Sequence, residues 1–162
     1  MRRVLTGVSA VVAIVAVGAS PAVAAKAPVK LDGTVNNHGT KNVSKKTAPT
    51  VKVELDDFYI APTFLKVKPG EQVTFDLENE GNTRHTFTSD ALGFDQALNP
   101  GKSATVTVTV PDDASVFRVF CSIHEGIGMQ GALFTNAKAK APPASGASTA
   151  ANRNSGSGSY GY

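Results

Sequence analysis

Along the middle of the chain, hydrophobic and polar residues alternate in short runs, with a period of two rather than 3.6. VKVEL at 51–55 alternates, and FLKVKPGEQVTFDLEN holds two further runs, at 64–68 and 72–78, joined at a Pro69–Gly70 turn. A short run spans 84–88. SATVTVTV at 103–110 alternates strictly between small or polar residues and valine or alanine, as in a strand with one buried face. SVFRVFC at 115–121 and a last run at 130–135 complete the set, with Pro100–Gly101 and Pro111–Asp112 as punctuation. No long helical period interrupts them. Seven or so short strands with regular turn signals predict an all-β Greek-key β-sandwich or barrel over residues 50–137.

The flanks read differently. Arg2 and Arg3 open the chain, an uncharged apolar run follows to about Val17, and Gly18, Ser20 and Pro21 break it before the small residues of PAVAAKAP. A charged start, an apolar middle and a small-residue end describe a secretory signal peptide over residues 1–25. The alternative, an uncleaved anchor helix, is opposed by the Gly-Ser-Pro break. No second apolar run could span a membrane, and no cysteine near the cleavage site could carry a lipid. Residues 26–49, rich in Lys, Asn, Gly and Thr, predict a polar N-terminal arm or linker. Residues 138–162, dominated by Ala, Ser, Gly and Pro, predict a disordered tail.

Charge sharpens this picture. The 162 residues carry 16 basic and 13 acidic side chains, a formal +3, but the sign is unevenly distributed. Residues 26–49 hold five lysines and one aspartate, whereas residues 50–137 hold six basic and twelve acidic groups, a net −6. The domain lacks the basic face that nucleic-acid binding requires and favours basic partners instead.

The chain has one cysteine. In an exported protein a lone thiol cannot form an internal disulfide and is prone to oxidation if exposed, so it must be buried, paired between chains or bound to a metal. It lies in FCSIHEGIGM, where Cys121 is followed by His124 and Met129; upstream, TRHTF supplies His85. Cys121 and Met129 fall at the ends of two strands, so the loop between them is pinned at both ends. One thiolate, two imidazoles and one thioether are a donor set suited to copper, and two His and one Cys in a plane with a weak axial Met define the blue-copper electron-transfer site. Zinc also accepts Cys and two His with water as fourth ligand, but rarely a thioether. Taken singly, Cys121 and Met129 would read as core residues, His124 as a surface histidine and His85 as an ordinary strand histidine; together, at this spacing, they point to copper.

On these residues the chain resembles the cupredoxin family. The spacing Cys121, two residues, His124, four residues, Met129 is that of plastocyanin and pseudoazurin. The Phe120 before the cysteine, the Gly-Ile-Gly before Met129 and Gly131 after it are similar, as are PGEQVTF and NPGKSATVTVTV; the resemblance covers residues 50–137. It implies a Greek-key β-sandwich with His85, Cys121 and His124 as equatorial ligands of one type 1 copper and Met129 as the axial one. It also implies that the edge of His124 is the electron port, in an apolar patch kept flat by Gly126, Ile127 and Gly128, with Leu92, Phe94 and Ile60 as candidates to border it. One departure stands out: the family carries Asn after the first His ligand, tying the two ligand loops together, whereas this chain has Thr86, whose hydroxyl can make part of that bond. Arg84, just before His85, would favour Cu(I) if it lies near the metal.

The implied function is a soluble one-electron carrier between redox protein partners, exported to the periplasm, cell surface or medium. It would be a monomer docking at the His124 side, with no reaction catalysed by the chain alone. The alternative is a copper storage or delivery module. A multicopper enzyme would need further histidines, and the chain has three in all; the third, His38, falls in the polar arm. The acidic pairs Asp56–Asp57 and Asp112–Asp113 look like paired carboxylates; Asp112–Asp113, after Pro111, suits a solvated turn better than acid–base catalysis, and both pairs, with Glu78 and Glu80, are alternatively an acidic docking face.

Overall fold

A computed structural model of the chain describes residues 27–113, 115–136 and 138. The signal peptide expected at 1–25 and almost all of the expected tail lie outside the described residues. Ten strands form two sheets: β1 (Thr40–Asn42), β2 (Thr50–Asp56), β3 (Tyr59–Ala61), β4 (Phe64–Lys66), β5 (Gln72–Asn79), β6 (His85–Ser89), β7 (Phe94–Leu98), β8 (Ser103–Thr109), β9 (Val116–Phe120) and β10 (Gln130–Phe134). One sheet runs β1-β4-β10-β9-β6-β7 and the other β3-β2-β5-β8. The fold is thus the all-β sandwich that the alternation predicts. Among the described residues no helix is long and apolar enough to cross a membrane.

The period-two pattern places the core. Val51, Val53 and Leu55 of β2 and Val73, Phe75 and Leu77 of β5 point inward, where they meet Phe87, Phe117, Val119 and Leu133 of the other sheet. Their neighbours in sequence, from Lys52 to Glu78, face solvent. Phe75 packs edge-on against Phe87, with ring centroids 5.2 Å apart and ring planes at 64°. The Pro69–Gly70 turn does not close a hairpin: β4 and β5 belong to different sheets, so the turn carries the chain across the sandwich.

The expected polar arm is corrected. Residues 27–49 are packed onto the domain rather than free of it. Val29 and Leu31 are buried with Phe64, Val116, Ala132 and Phe134, and Val35 covers them, sealing a face that the main core leaves uncovered. Val43 joins the main core, and β1 pairs in parallel with β4. Fully burying side chains of this size stabilises by about 1.5–3 kcal/mol each, which is enough to order a segment whose average composition is polar. Three strands that the alternation did not predict, β1, β3 and β7, are short or lie at sheet edges, where one-sided burial blurs the pattern.

Candidate metal centre

Four chain segments meet at one end of the sandwich, and each arrives for a local reason. His85 is the first residue of β6, a central strand whose five residues are all buried. Cys121 follows β9 directly and Met129 precedes β10, and these two strands pair antiparallel from Gln130–Phe120 to Phe134–Val116. The loop between them is closed by the Cys121 N–H donating to the Met129 carbonyl (3.0 Å) and the Met129 N–H donating to the His124 carbonyl (3.3 Å). Inside it, Glu125–Ile127 make one 3-10 turn, which ends on Gly128 at φ +100°. A side chain there would be strained and would press on Asn36 and Thr34.

Folding brings His85, Cys121 and His124 into one cluster. The Nδ1 atoms of the two histidines are 3.1 Å apart, and Cys121 Sγ lies 3.9 Å from His85 Nδ1 and 3.6 Å from His124 Nδ1. The circumcentre of that triangle is about 2.1 Å from each atom. Imidazole nitrogen and thiolate sulfur hold a metal ion of this size at about 2.0–2.3 Å, so three donors converge on one metal-sized point. Met129 is fully buried and belongs to the same core cluster as Cys121. The donor set and its convergence fit a type 1 copper ion.

The surroundings hold these donors in place. His85 is fully buried. Its Nε2 faces Asp57 Oδ1 and Thr83 Oγ1, each at 3.3 Å, which leaves Nδ1 turned toward the cluster. Burial pushes the His85 imidazole below its ordinary pKa, while Asp57 opposes that shift and His124 adds to it. Asp57 itself, on the β2–β3 turn, is held below the usual carboxylate range, first by the Asn82 backbone N–H and then by the Asn82 side-chain amide. Gly81 makes this approach possible, because a Cβ there would stand 2.6 Å from Asp57 Oδ1 and 2.9 Å from His85 Nε2.

Thr86 ties together the segments that carry His85 and Cys121, as its hydroxyl allows. Its backbone N–H points at Cys121 Sγ (3.4 Å). Its Oγ1 accepts from the Ser122 N–H at 2.8 Å and lies 3.1 Å from the Ser122 hydroxyl. Arg118 braces the loop from below, donating from Nε to Gln130 Oε1 (2.7 Å) and pairing through Nη2 with Glu125 (2.6 Å).

The packed N-terminal segment also reaches the site, which sequence reasoning missed. The Asn36 backbone N–H donates to the Gly128 carbonyl at 2.9 Å, and its side-chain amide donates to the carbonyls of Phe58 (2.8 Å) and Ile127 (3.1 Å). Gln130 Nε2 donates to the Asp32 and Thr34 carbonyls.

Other expectations are corrected here. Ile60 is core, 1% exposed, and Leu92 and Phe94 are half-buried against the core cluster. Among the described residues the exposed large apolar side chains are Ile123 and Ile127, which flank half-buried His124 in the loop; half-buried Phe58 packs its ring against the His124 ring, with centroids 4.7 Å apart. Arg84 is exposed; the charged group that reaches His85 is the carboxylate of Asp57. His38 stays outside the cluster and stacks flat on Tyr59, with centroids 3.5 Å apart.

No curated protein matches the chain. Among solved structures it is similar to dithionite-reduced auracyanin from the photosynthetic bacterium Roseiflexus castenholzii, at 15% identity and a TM-score of 0.47, covering 55% of this chain and 98% of that one. It is also similar to auracyanin A, a "blue" copper protein from the green thermophilic photosynthetic bacterium Chloroflexus aurantiacus, at 18% identity and a TM-score of 0.45, covering 54% and 98%. Likeness at that level carries no inference by itself. The family model of the cupredoxin-like domain matches residues 9–134, most of the chain, and the chain therefore belongs to the cupredoxin-like domain family.

Proposed function

We propose that His85, Cys121 and His124 hold one copper ion equatorially with Met129 as its axial ligand, and that the protein is a soluble one-electron carrier working outside the cytoplasm. The observation that carries this reading is the convergence of two imidazole Nδ1 atoms and one thiolate on a single point in a buried, pre-braced site. Bound copper supplies a one-electron couple; this chain's residues supply a nearly fixed geometry. His85 is held in a sheet, Cys121 and Met129 sit at strand ends, and hydrogen bonds from Thr86 and Asn36 close the surrounding loops. A site of this kind changes little between oxidation states, which keeps reorganisation small.

The electron's way in or out is the His124 side. Ile123 is 51% and Ile127 53% exposed, and they form an apolar rim around the one ligand that reaches the surface. A redox protein partner docking there needs no bound substrate, so the chain alone catalyses no reaction. It acts as a monomer, and the apolar run at its N-terminus exports it.

Protein-film voltammetry, together with copper retention against a chelator, tests carrier against delivery module. A carrier gives a reversible one-electron wave and keeps its copper through many cycles. An irreversible wave, with copper surrendered to the chelator within seconds, would instead mark a delivery module.

A further inference from the structure

Among the described residues Asp57 is the acidic side chain in contact with buried His85, and neither the spacing of the donors nor the family resemblance points to it. It lies 28 residues from His85 in sequence, on the turn after β2, and five contacts hold it. The Asn82 backbone N–H donates to both carboxylate oxygens (3.2 Å each), the Asn82 side-chain amide to Oδ2 (3.1 Å) and Thr83 Oγ1 to Oδ1 (3.3 Å), while His85 Nε2 faces Oδ1 at 3.3 Å. The neighbouring backbone is shaped around this contact, since Gly81 leaves no room for a Cβ between the two groups. The carboxylate side chain is 27% exposed and the imidazole 0%, so the pair is only partly screened by solvent.

We propose that Asp57 is a positioning residue of the metal centre with two separable effects. As acceptor it fixes His85 with the proton on Nε2 and the lone pair on Nδ1 aimed at the ion. As an anion behind the ligand it strengthens imidazole donation and stabilises the more highly charged Cu(II), holding the reduction potential below that of the same site with a neutral acceptor. The first effect follows from tautomer logic, because an imidazole whose Nε2–H is engaged presents a bare Nδ1. The second follows from Coulomb attraction, which is stronger toward the oxidised ion. This inference rests on the reading of His85 as a copper ligand.

Two substitutions separate the effects. Asp57→Asn keeps an oxygen for the Nε2–H but removes the charge; the copper potential is expected to rise while the visible spectrum stays near wild type. Asp57→Ala removes both, and copper affinity is expected to fall by roughly 10–100-fold, the usual effect of losing a partner of a metal-ligating histidine. Nitrogen-15 shifts of the His85 ring in metal-free protein are expected to show the Nε2–H form in wild type and in Asp57→Asn, and a mixture in Asp57→Ala. Circular dichroism of each metal-free variant checks that it folds. An Asp57→Asn potential equal to or below wild type, or a wild-type His85 carrying its proton on Nδ1, overturns the proposal. If wild type takes up Cu(II) without a blue band, the proposed function falls separately, and the ring shifts of the metal-free protein still decide the role of Asp57.

Discussion

The two ends of the sandwich close by different means. At the end away from the site, turns are sealed mostly by the backbone: Gly70 N–H to Val110 carbonyl and Val110 N–H to Glu71 carbonyl, each at 2.9 Å, and Thr74 N–H to Pro49 carbonyl at 3.0 Å. One carboxylate helps, with Glu71 accepting from the Ala48 N–H at 2.7 Å and facing Lys68 at 3.5 Å. At the site end, backbone bonds such as those that close the Cys121–Met129 loop are joined by buried polar side chains. Asn79 donates to the carbonyls of Thr83 and Leu98, Thr86 accepts from Ser122, and Gln130 bridges Arg118 to the N-terminal segment. Buried polar groups are costly unless every one is bonded, and among the described residues no buried side-chain nitrogen or oxygen is left without a partner. Backbone turns suffice to close a sandwich; a dense, fully bonded polar network at one end marks the place where geometry itself is the product.

The largest way to break that contrast is Gly81→Ala. The added Cβ must push Asp57 from His85, and overpacking of this kind costs about 1–3 kcal/mol. Copper affinity should fall by roughly 10–100-fold as the histidine's partner is lost. Competition titration against a chelator, beside a thermal melt of the metal-free protein, checks both; wild-type affinity would mean that the Asp57 contact does not hold the site.

Next comes Asn36→Ala. It orphans the part-buried Phe58 carbonyl, for about 1 kcal/mol, leaves the Ile127 carbonyl to water, and frees the loop that carries His124. Hydrogen exchange should rise at residues 124–128 and stay unchanged around Glu71. A uniform rise through the whole sandwich would show instead that the N-terminal segment stabilises the fold without gripping the site.

The smallest effect is reserved for the far end. The Glu71 carboxyl is held below its ordinary range, first by the Ala48 N–H and then by Lys68, against an opposing effect of burial. A carboxyl depressed in the folded state adds stability that is present above its unfolded value and is lost as pH falls through its folded one. Glu71→Gln should therefore flatten the decline in stability on the acid side of the ordinary carboxylate range and leave the copper spectrum untouched. Acid titrations followed by circular dichroism measure it, and a shifted copper spectrum would dissolve the distinction between the ends.

How much of this was legible in the sequence follows from the range of each interaction. The convergence of His85, Cys121 and His124 could be read because two of them sit three residues apart after a strand, and because lone cysteines in exported chains need a reason. The sandwich could be read because Val51 to Leu55 and Val73 to Leu77 alternate cleanly. Asp57 could not, since an acidic pair after a strand carries no mark of a histidine partner and its contact with His85 crosses two loops. The N-terminal segment was hidden by its average composition: Val29, Leu31 and Val43 are three apolar residues scattered among lysines and asparagines, and only the uncovered faces of a folded sandwich show where they go. Thr86 lies between these cases, with its hydroxyl foreseeable and its partner Ser122 not.

The most direct test of the central claim is the visible spectrum of the protein after addition of Cu(II), repeated with Cys121→Ser and Met129→Leu. We expect an intense blue thiolate-to-copper band that is absent in Cys121→Ser and displaced in Met129→Leu. Copper bound with a pale spectrum, or a blue band that survives the loss of Cys121, would contradict it.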